Sequence, residues 1–203
     1  MTRTPADARV VALTHAFMED PLVAFLCPDL RTRAALLHVG MSFMLGLGSN
    51  YGGEVGVVRH AGTCAGAIVS FEPHRYPVPW IGAGIEGLKA LRFLPLLPRG
   101  WVPWRSGWLG FRLLAYLEKL HPQEPHWYIL VIGVDPEFQG TGKGAELFAP
   151  VLHRADREKQ LVYLESSNPK NLSFYQRQGF RVVSEERPVP GCPPIFPMVR
   201  SPV

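Results

Sequence analysis

Residues 127–134, Trp-Tyr-Ile-Leu-Val-Ile-Gly-Val, are apolar on both alternating faces. A strand with that pattern is covered on both sides and sits inside a sheet. It runs into a loop, Asp135-Pro136-Glu137-Phe138-Gln139-Gly140-Thr141-Gly142-Lys143-Gly144, and then a helical pattern from about Gly142 to Arg157. There Ala145, Phe148, Val151, Leu152 and Ala155 form an apolar stripe. Pro150 within that stripe is expected to kink or shorten the helix. A strand (LVYLESS), a short helix after Asn168-Pro169, a stop at Gly179 and closing strands from Phe180 follow. The order β-loop-α-β-α-β specifies a mixed α/β (α+β) architecture.

The first part of the chain reads as helices, then strands. Val10, Val11, Leu13 and Phe17 recur at helical spacing, with Pro21 ending the run. A second helix is expected from about Thr32 to Leu45, closed by the flexible GLGSNYGG. EVGVVRH and TCAGAIVSF, separated by Ala61-Gly62, read as an antiparallel pair with a tight turn. Residues 73–108 hold many of the prolines and four of the five tryptophans. They are either an apolar insertion packed on the core or a wall of a ligand pocket. A helix from about Ser106 to Leu120 follows.

Glycines in the loop at 133–144 let backbone amides converge, and the following helix N-terminus favours negative charge, so the segment suits a pyrophosphate. Two common phosphate loops fail on spacing. A Walker loop needs Gly five positions before the Gly-Lys pair and Ser or Thr after it; here Glu137 and Gly144 stand there. A dinucleotide fingerprint needs GxGxxG early in a βαβ unit, whereas this chain has a late GxGxG.

Composition narrows the partners. With 203 residues, 47% hydrophobic and 19% charged, the chain has material for one core. A charge of +4 and pI near 9.1 suit a polyanionic ligand, but no arginine- or lysine-rich run points to nucleic acid. Cys27, Cys64 and Cys192 stand apart with no metal-ligand spacing, so no metal is expected and the thiols read as reduced. The N-terminus lacks a signal-peptide pattern and no apolar run is long enough to span a membrane, so a cytoplasmic protein without membrane association is expected.

The segment Gln139-x-x-Gly142-x-Gly144 resembles the Gln/Arg-x-x-Gly-x-Gly/Ala signature of the GCN5-related N-acetyltransferases (GNAT). The buried strand, the Asp-Pro step, the helix, LESS, Asn171 and FYQRQGF follow in that family's order. From HPQEPHWY to the C-terminus the chain is most similar to the puromycin N-acetyltransferase-like members. The resemblance covers roughly the last 80 residues well and the rest in outline. It implies a central mixed sheet splayed into a V and flanked by helices, with acetyl-CoA as co-substrate. It also implies a single domain over 1–203, with an acetyl-CoA-binding core at about 121–200 and a divergent acceptor side at about 1–120.

On this reading the amides of Gln139, Gly140, Thr141, Gly142, Lys143 and Gly144 hold the pyrophosphate. The Lys143 charge either assists or is a solvated helix residue. The pantetheine arm pairs with backbone near Ile132, Gly133 and Val134; Gly133 is expected to mark a bulge whose amide serves as oxyanion donor. Asn171 and Tyr175 fall where the family approaches the cofactor, and Tyr175 is the candidate acid for the leaving thiolate. Glu165, at the end of LVYLE, is either the base (or amine-binding carboxylate) or a solvated strand-end residue. Glu19, Asp20 and Glu72 are weaker candidates. His121, His126 and His153 have no metal or triad spacing and receive no role, and Cys192 has no paired base for an acyl-cysteine route. The expected reaction is direct acetyl transfer to a primary amine of a small molecule. The alternatives are a protein N-terminal or lysine acetyltransferase and a non-catalytic CoA-binding regulator. Exposed tryptophans at 73–108 would favour a homodimer.

Overall fold

The structure, a computed structural model, describes residues 7–90 and 104–203. Three aspartates start the first three helices. Asp7 caps α1 (Ala8–Phe17), Asp20 caps α2 (Pro21–Leu26) and Asp29 caps α3 (Leu30–Asn50), each accepting from a first-turn amide. Pro21 therefore opens α2 at a position where its missing N–H costs nothing, rather than merely closing α1. The GLGSN segment does not end α3 either. A side chain at Gly46 or Gly48 would strike Glu86 or Val69, so these glycines admit close neighbours within a continuous helix.

β1 (Gly53–His60) and β2 (Thr63–Phe71) form a hairpin whose turn places Ala61 at φ 47° and Gly62 at φ 84°. α4 (Trp80–Ala90) and α5 (Trp104–Leu117) flank a stretch, 91–103, that lies outside the described residues, so the expectation for 73–108 is answered only at its ends. Next come β3 (His126–Val134), α6 (Lys143–Glu158), β4 (Leu161–Ser166), α7 (Leu172–Arg177), β5 (Arg181–Val182) and β6 (Phe196–Arg200). Pro150 does not shorten α6, which runs its full length through it.

The six strands lie in the order β1-β2-β3-β4-β6-β5, antiparallel except for the β3–β4 seam. On one face α6 and α7 cover Trp127, Ile129, Val162, Leu164 and Met198. On the other, α1 and α3 cover Val69, Phe71, Tyr128, Val131, Tyr163 and Val199. Burial of these side chains stabilises the fold by about 1.5–3 kcal/mol each. No helix among the described residues is long and apolar enough to cross a membrane.

The feature that makes a site is the parallel seam. Only His126–Tyr128 pair with Leu161–Tyr163, after which β3 and β4 part. The cause lies partly on the opposite edge of β3. Val69 pairs with Val131 while Ser70 pairs with Ile129, so Leu130 is an extra residue. A bulge bends and over-twists its strand, turning the rest of β3 away from β4. The bulge is at Leu130, not at Gly133 as the glycine suggested. Gly133 stays in register with Ala67. A β-carbon there would meet Ala16 and Leu13 at 2.9 and 3.0 Å, so Gly133 lets α1 lie against the sheet.

Candidate active site

The wedge between β3 and β4 opens into a cavity of about 350 Å³. Its apolar walls come from α2 (Leu22, Val23), α3 (Leu37, Met41, Met44) and α5 (Leu113, Leu117). The polar groups are Glu165 and Ser166 at the end of β4, Ser167 after it, Asn171 and Tyr175 at α7, and Asp20 at the start of α2. Among the described residues the wall expected of the Pro/Trp-rich stretch is formed by leucines of α5. Trp108 is exposed, with the Arg112 guanidinium 4.8 Å from its ring centre.

At the mouth, the glycine loop is braced by its own side chains. Gln139 Nε2 donates to Val134 O at 3.0 Å, and Thr141 Oγ1 donates to Phe138 O at 2.6 Å. Asp135 caps the short 3-10 turn Pro136–Phe138 and takes a 2.6 Å contact from His15 Nδ1, fastening the loop to α1. Gly140 (φ 77°) and Gly142 (φ 83°) are left-handed, with nothing within 4 Å of an added β-carbon. Gly142 caps α6 without a side-chain acceptor, which leaves first-turn amides for a ligand. These residues fit a pyrophosphate held by backbone N–H groups. Lys143 pairs with Glu146 at 2.7 Å. Gly144 has a different duty, because a β-carbon there would lie 2.9 Å from the Phe174 ring. Beyond Tyr128 the β4-facing edge of β3, including Ile132 and Val134, carries no strand partner among the described residues, so amides of a ligand arm have room to pair there.

Glu165 is not a solvated strand end. Its side chain is 8% exposed, and burial, the largest cause, raises its carboxyl to about 7. Tyr128 OH donates to Oε2 at 3.1 Å, whereas Oε1 has no hydrogen bond and faces His121 Nε2 at 3.5 Å. His121, given no role from its spacing, is half-buried at the seam. It stacks on Tyr76 (5.2 Å, 14°) and meets Tyr128 edge-on (4.5 Å, 65°). Burial, then the neighbouring His126, lowers it to about 4. Tyr163 OH lies buried beside the Glu165 carboxyl and favours its ionised form, against the larger effect of burial.

On the other flank Tyr175 of α7 is buried, and desolvation followed by the charge of Asp20 pushes its phenol well above the ordinary value. Asp20 is itself buried, with Oδ1 accepting from Leu22 N and Val23 N and Oδ2 from Ser167 Oγ at 2.7 Å. Asn171 ends the 3-10 turn Pro169–Asn171 and starts α7 without a side-chain cap bond. Arg33, which no motif marked, holds this corner. Its buried guanidinium donates to Met18 O, Cys27 O and Pro28 O at 2.8–2.9 Å, fixing both ends of α2. Of the weaker acidic candidates, Glu72 pairs with Arg154 away from the cavity lining. The three cysteines are buried free thiols. Among the described residues no group of three or more His, Cys, Asp or Glu stands together in a way that could hold a metal ion.

Residues 114–201 match the family model of the acetyltransferase (GNAT) domain. That match spans a little under half of the chain and, with the relatives below, supports an acyltransferase that uses acetyl-CoA. Over 172 residues it is 26% identical to an uncharacterized N-acetyltransferase of Schizosaccharomyces pombe, covering 83% of this chain and 67% of that protein. It is 37% identical over 65 residues to a mycothiol acetyltransferase of Propionibacterium freudenreichii, which is 30% of this chain but only 21% of that protein. In fold it is similar to a solved histone acetyltransferase HPA2 and related acetyltransferase from Corynebacterium glutamicum (TM-score 0.64, 21% identity, covering 100% and 95% of the two chains). A solved agmatine N-acetyltransferase is also similar (TM-score 0.56, 20% identity, 93% and 90%).

Proposed function

We propose that this protein transfers acetyl from acetyl-CoA to a primary amine on a small molecule with an apolar body, by direct attack in a ternary complex. The observation that carries the reading is the apolar cavity in the strand wedge with a carboxyl, Glu165, and a phenol, Tyr175, on its polar side. Its helical walls come from residues before 120 and its strand wall, Ile129 to Ile132 and Leu164, from later ones, which supports an acceptor side in the first part and an acetyl-CoA side in about 121–200 of one domain.

The residues divide the work. Amides of Gln139 to Gly144 hold the pyrophosphate, and the free edge of β3 aligns the pantetheine arm. An amide at the Leu130 bulge, rather than at Gly133, donates to the thioester oxygen in this reading. Glu165 takes the proton that an alkylammonium must lose before its nitrogen attacks. A C–N bond forms and the C–S bond breaks. Tyr175, kept protonated by its burial, donates to the departing sulfur.

Thermal unfolding with and without acetyl-CoA, followed by thiol release against an amine panel, tests the reading. Puromycin, because of the C-terminal resemblance, and agmatine belong in the panel, together with peptides bearing free N-termini. A raised melting temperature with thiol release for small amines supports it. Release only with peptides moves the acceptor to proteins, and no shift at millimolar acetyl-CoA removes the loop assignment. Exposed Ile81, Leu88 and Trp108 on α4 and α5 make a homodimer part of the proposal, to be read from sedimentation.

A further inference from the structure

We infer that Asp20 holds the ammonium group of the acceptor, and that the cavity takes monoamines with a hydrocarbon body. This rests on the acetyl-transfer reading and deepens it by naming the acceptor's class and the residue that selects it. Asp20 is only 7% exposed, yet it borders the cavity. A carboxylate taken out of water is stable only when other groups replace the water it loses. Leu22 N and Val23 N reach Oδ1 at 2.9 and 3.2 Å, and Ser167 Oγ reaches Oδ2 at 2.7 Å. None of these donors is charged, and among the described residues no ion pair reaches Asp20. Arg33, at the same corner, gives its guanidinium protons to Met18 O, Cys27 O and Pro28 O instead.

A carboxylate accepts at about four positions. Oδ1 uses two and Oδ2 one, so Oδ2 keeps a position for a donor brought by a ligand. The partner that would complete Asp20 is a cation with an N–H, which is what a protonated amine supplies. The place also suits the reaction. Ser167 stands two residues beyond Glu165, at most about 7 Å along an extended chain. On the other side, the charge of Asp20 is felt by the Tyr175 phenol. An ammonium held through one N–H keeps two more protons. One of these goes to Glu165 in the proposed reaction, while the bond to Asp20 keeps the nitrogen in place as its lone pair forms. Asp20 itself takes no proton.

The rest of the lining sets the body of the molecule. Val23 of α2, Met41 and Met44 of α3, and Leu113 and Leu117 of α5 border the same space. Such walls reward each methylene that leaves water, and unbranched methionines adapt to the shape of a chain. A second ammonium at the far end of the ligand would lose its water against these side chains and find no acceptor among them. The volume, about 350 Å³, lies at the small end of ligand pockets, so the body that fits is compact.

Kinetics with straight-chain amines from propylamine to hexylamine test the inference. In the wild type, kcat/KM should rise about fourfold with each methylene, and the six-carbon diamine should fall about tenfold or more below hexylamine. Asp20→Asn keeps an oxygen for the α2 amides. It should raise KM for hexylamine about tenfold or more, with KM for acetyl-CoA and inhibition by hexanol both unchanged. An unchanged KM for hexylamine, or an equal weakening of hexylamine and hexanol, makes Asp20 a helix cap only and overturns its role. A flat series or a preferred diamine overturns the monoamine class. Where Asp20→Asn does not fold, Asp20→Ser, which also caps a helix, takes its place. If neither folds, the carbon-13 signal of the wild-type Asp20 carboxyl decides. It should move with hexylamine and not with hexanol, and equal movement or none overturns the role. A wild-type protein that acetylates other amines but no alkylamine overturns this inference alone, whereas one that acetylates no amine removes the acetyl-transfer reading with it.

Discussion

Tyr128 donates its phenol proton to Glu165 across the point where β3 and β4 part, at 3.1 Å. Tyr128 belongs to the last paired step of the parallel seam, opposite Tyr163, and Glu165 lies two residues beyond it. The hydrogen bond therefore spans the apex of the wedge. It anchors one carboxylate oxygen and leaves the other turned toward His121.

Replacing Glu165 by Gln removes the candidate base while keeping its shape. Transfer should fall by about 10²–10⁴-fold, with acetyl-CoA affinity retained in a binding titration. In the wild type, kcat/KM should rise with pH through about 7 as the carboxyl loses its proton. The variant should lack that limb.

The same change has a signature in stability, and its sign follows from linkage. The folded protein keeps the Glu165 proton up to about pH 7, whereas the unfolded chain loses it near 4.5. Between those values folding takes up a proton, so this group's contribution falls as pH rises, by an amount on the order of 3 kcal/mol at most. His121 acts oppositely. The unfolded ring protonates below 6.5 and the folded ring only near 4, so its contribution is lost as pH falls through that window. Glu165→Gln should therefore gain stability relative to the wild type between pH 5 and pH 8. Urea unfolding at both pH values measures it, and a pH-independent difference would refute the burial argument.

Much of this was legible in the sequence, and what was not has a physical reason. The strand–loop–helix unit from Trp127 to Glu158 is local, set by apolar pattern and glycine placement, and it folds as expected. Gly133 misled because a glycine within a strand signals either a bulge or a close neighbour. The neighbour is α1, more than a hundred positions earlier in the chain. His121 and Arg33 were missed for a related reason. Their roles come from which carbonyls, rings and carboxylates tertiary packing brings to them, and spacing along the chain carries no record of that.

Gly133 itself is open to test. Gly133→Ala places a methyl 2.9–3.2 Å from Ala16, Leu13 and Phe17, all on α1. The helix must shift, at a cost of about 1–3 kcal/mol. Chemical denaturation should show that loss. An unchanged midpoint would mean that α1 does not pack as closely as described.

Tyr175→Phe deletes one hydroxyl from a side chain that is already buried. If that hydroxyl serves the leaving sulfur, kcat falls while acetyl-CoA affinity and melting temperature stay near wild type. The effect should shrink with a thioester whose leaving thiol is more acidic, because such a sulfur needs less help. An equal loss with both thioesters would return Tyr175 to a packing role.

The last prediction concerns the loop. Gly142 has a φ of 83°, with open space where a side chain would point, so a substitution there is resisted by backbone strain and not by a clash. For most residues that strain is about 1–2 kcal/mol, and a β-branched side chain suffers most. The domain core lies elsewhere and is expected to survive it. Gly142→Val should relieve the strain by rotating the peptide, which turns first-turn amides of α6 away from the ligand. The expected result is a cooperatively folded protein whose acetyl-CoA affinity drops more than tenfold, with Gly142→Ala intermediate, both measured by calorimetry. Wild-type affinity in a folded Gly142→Val variant would show that the pyrophosphate does not depend on these amides.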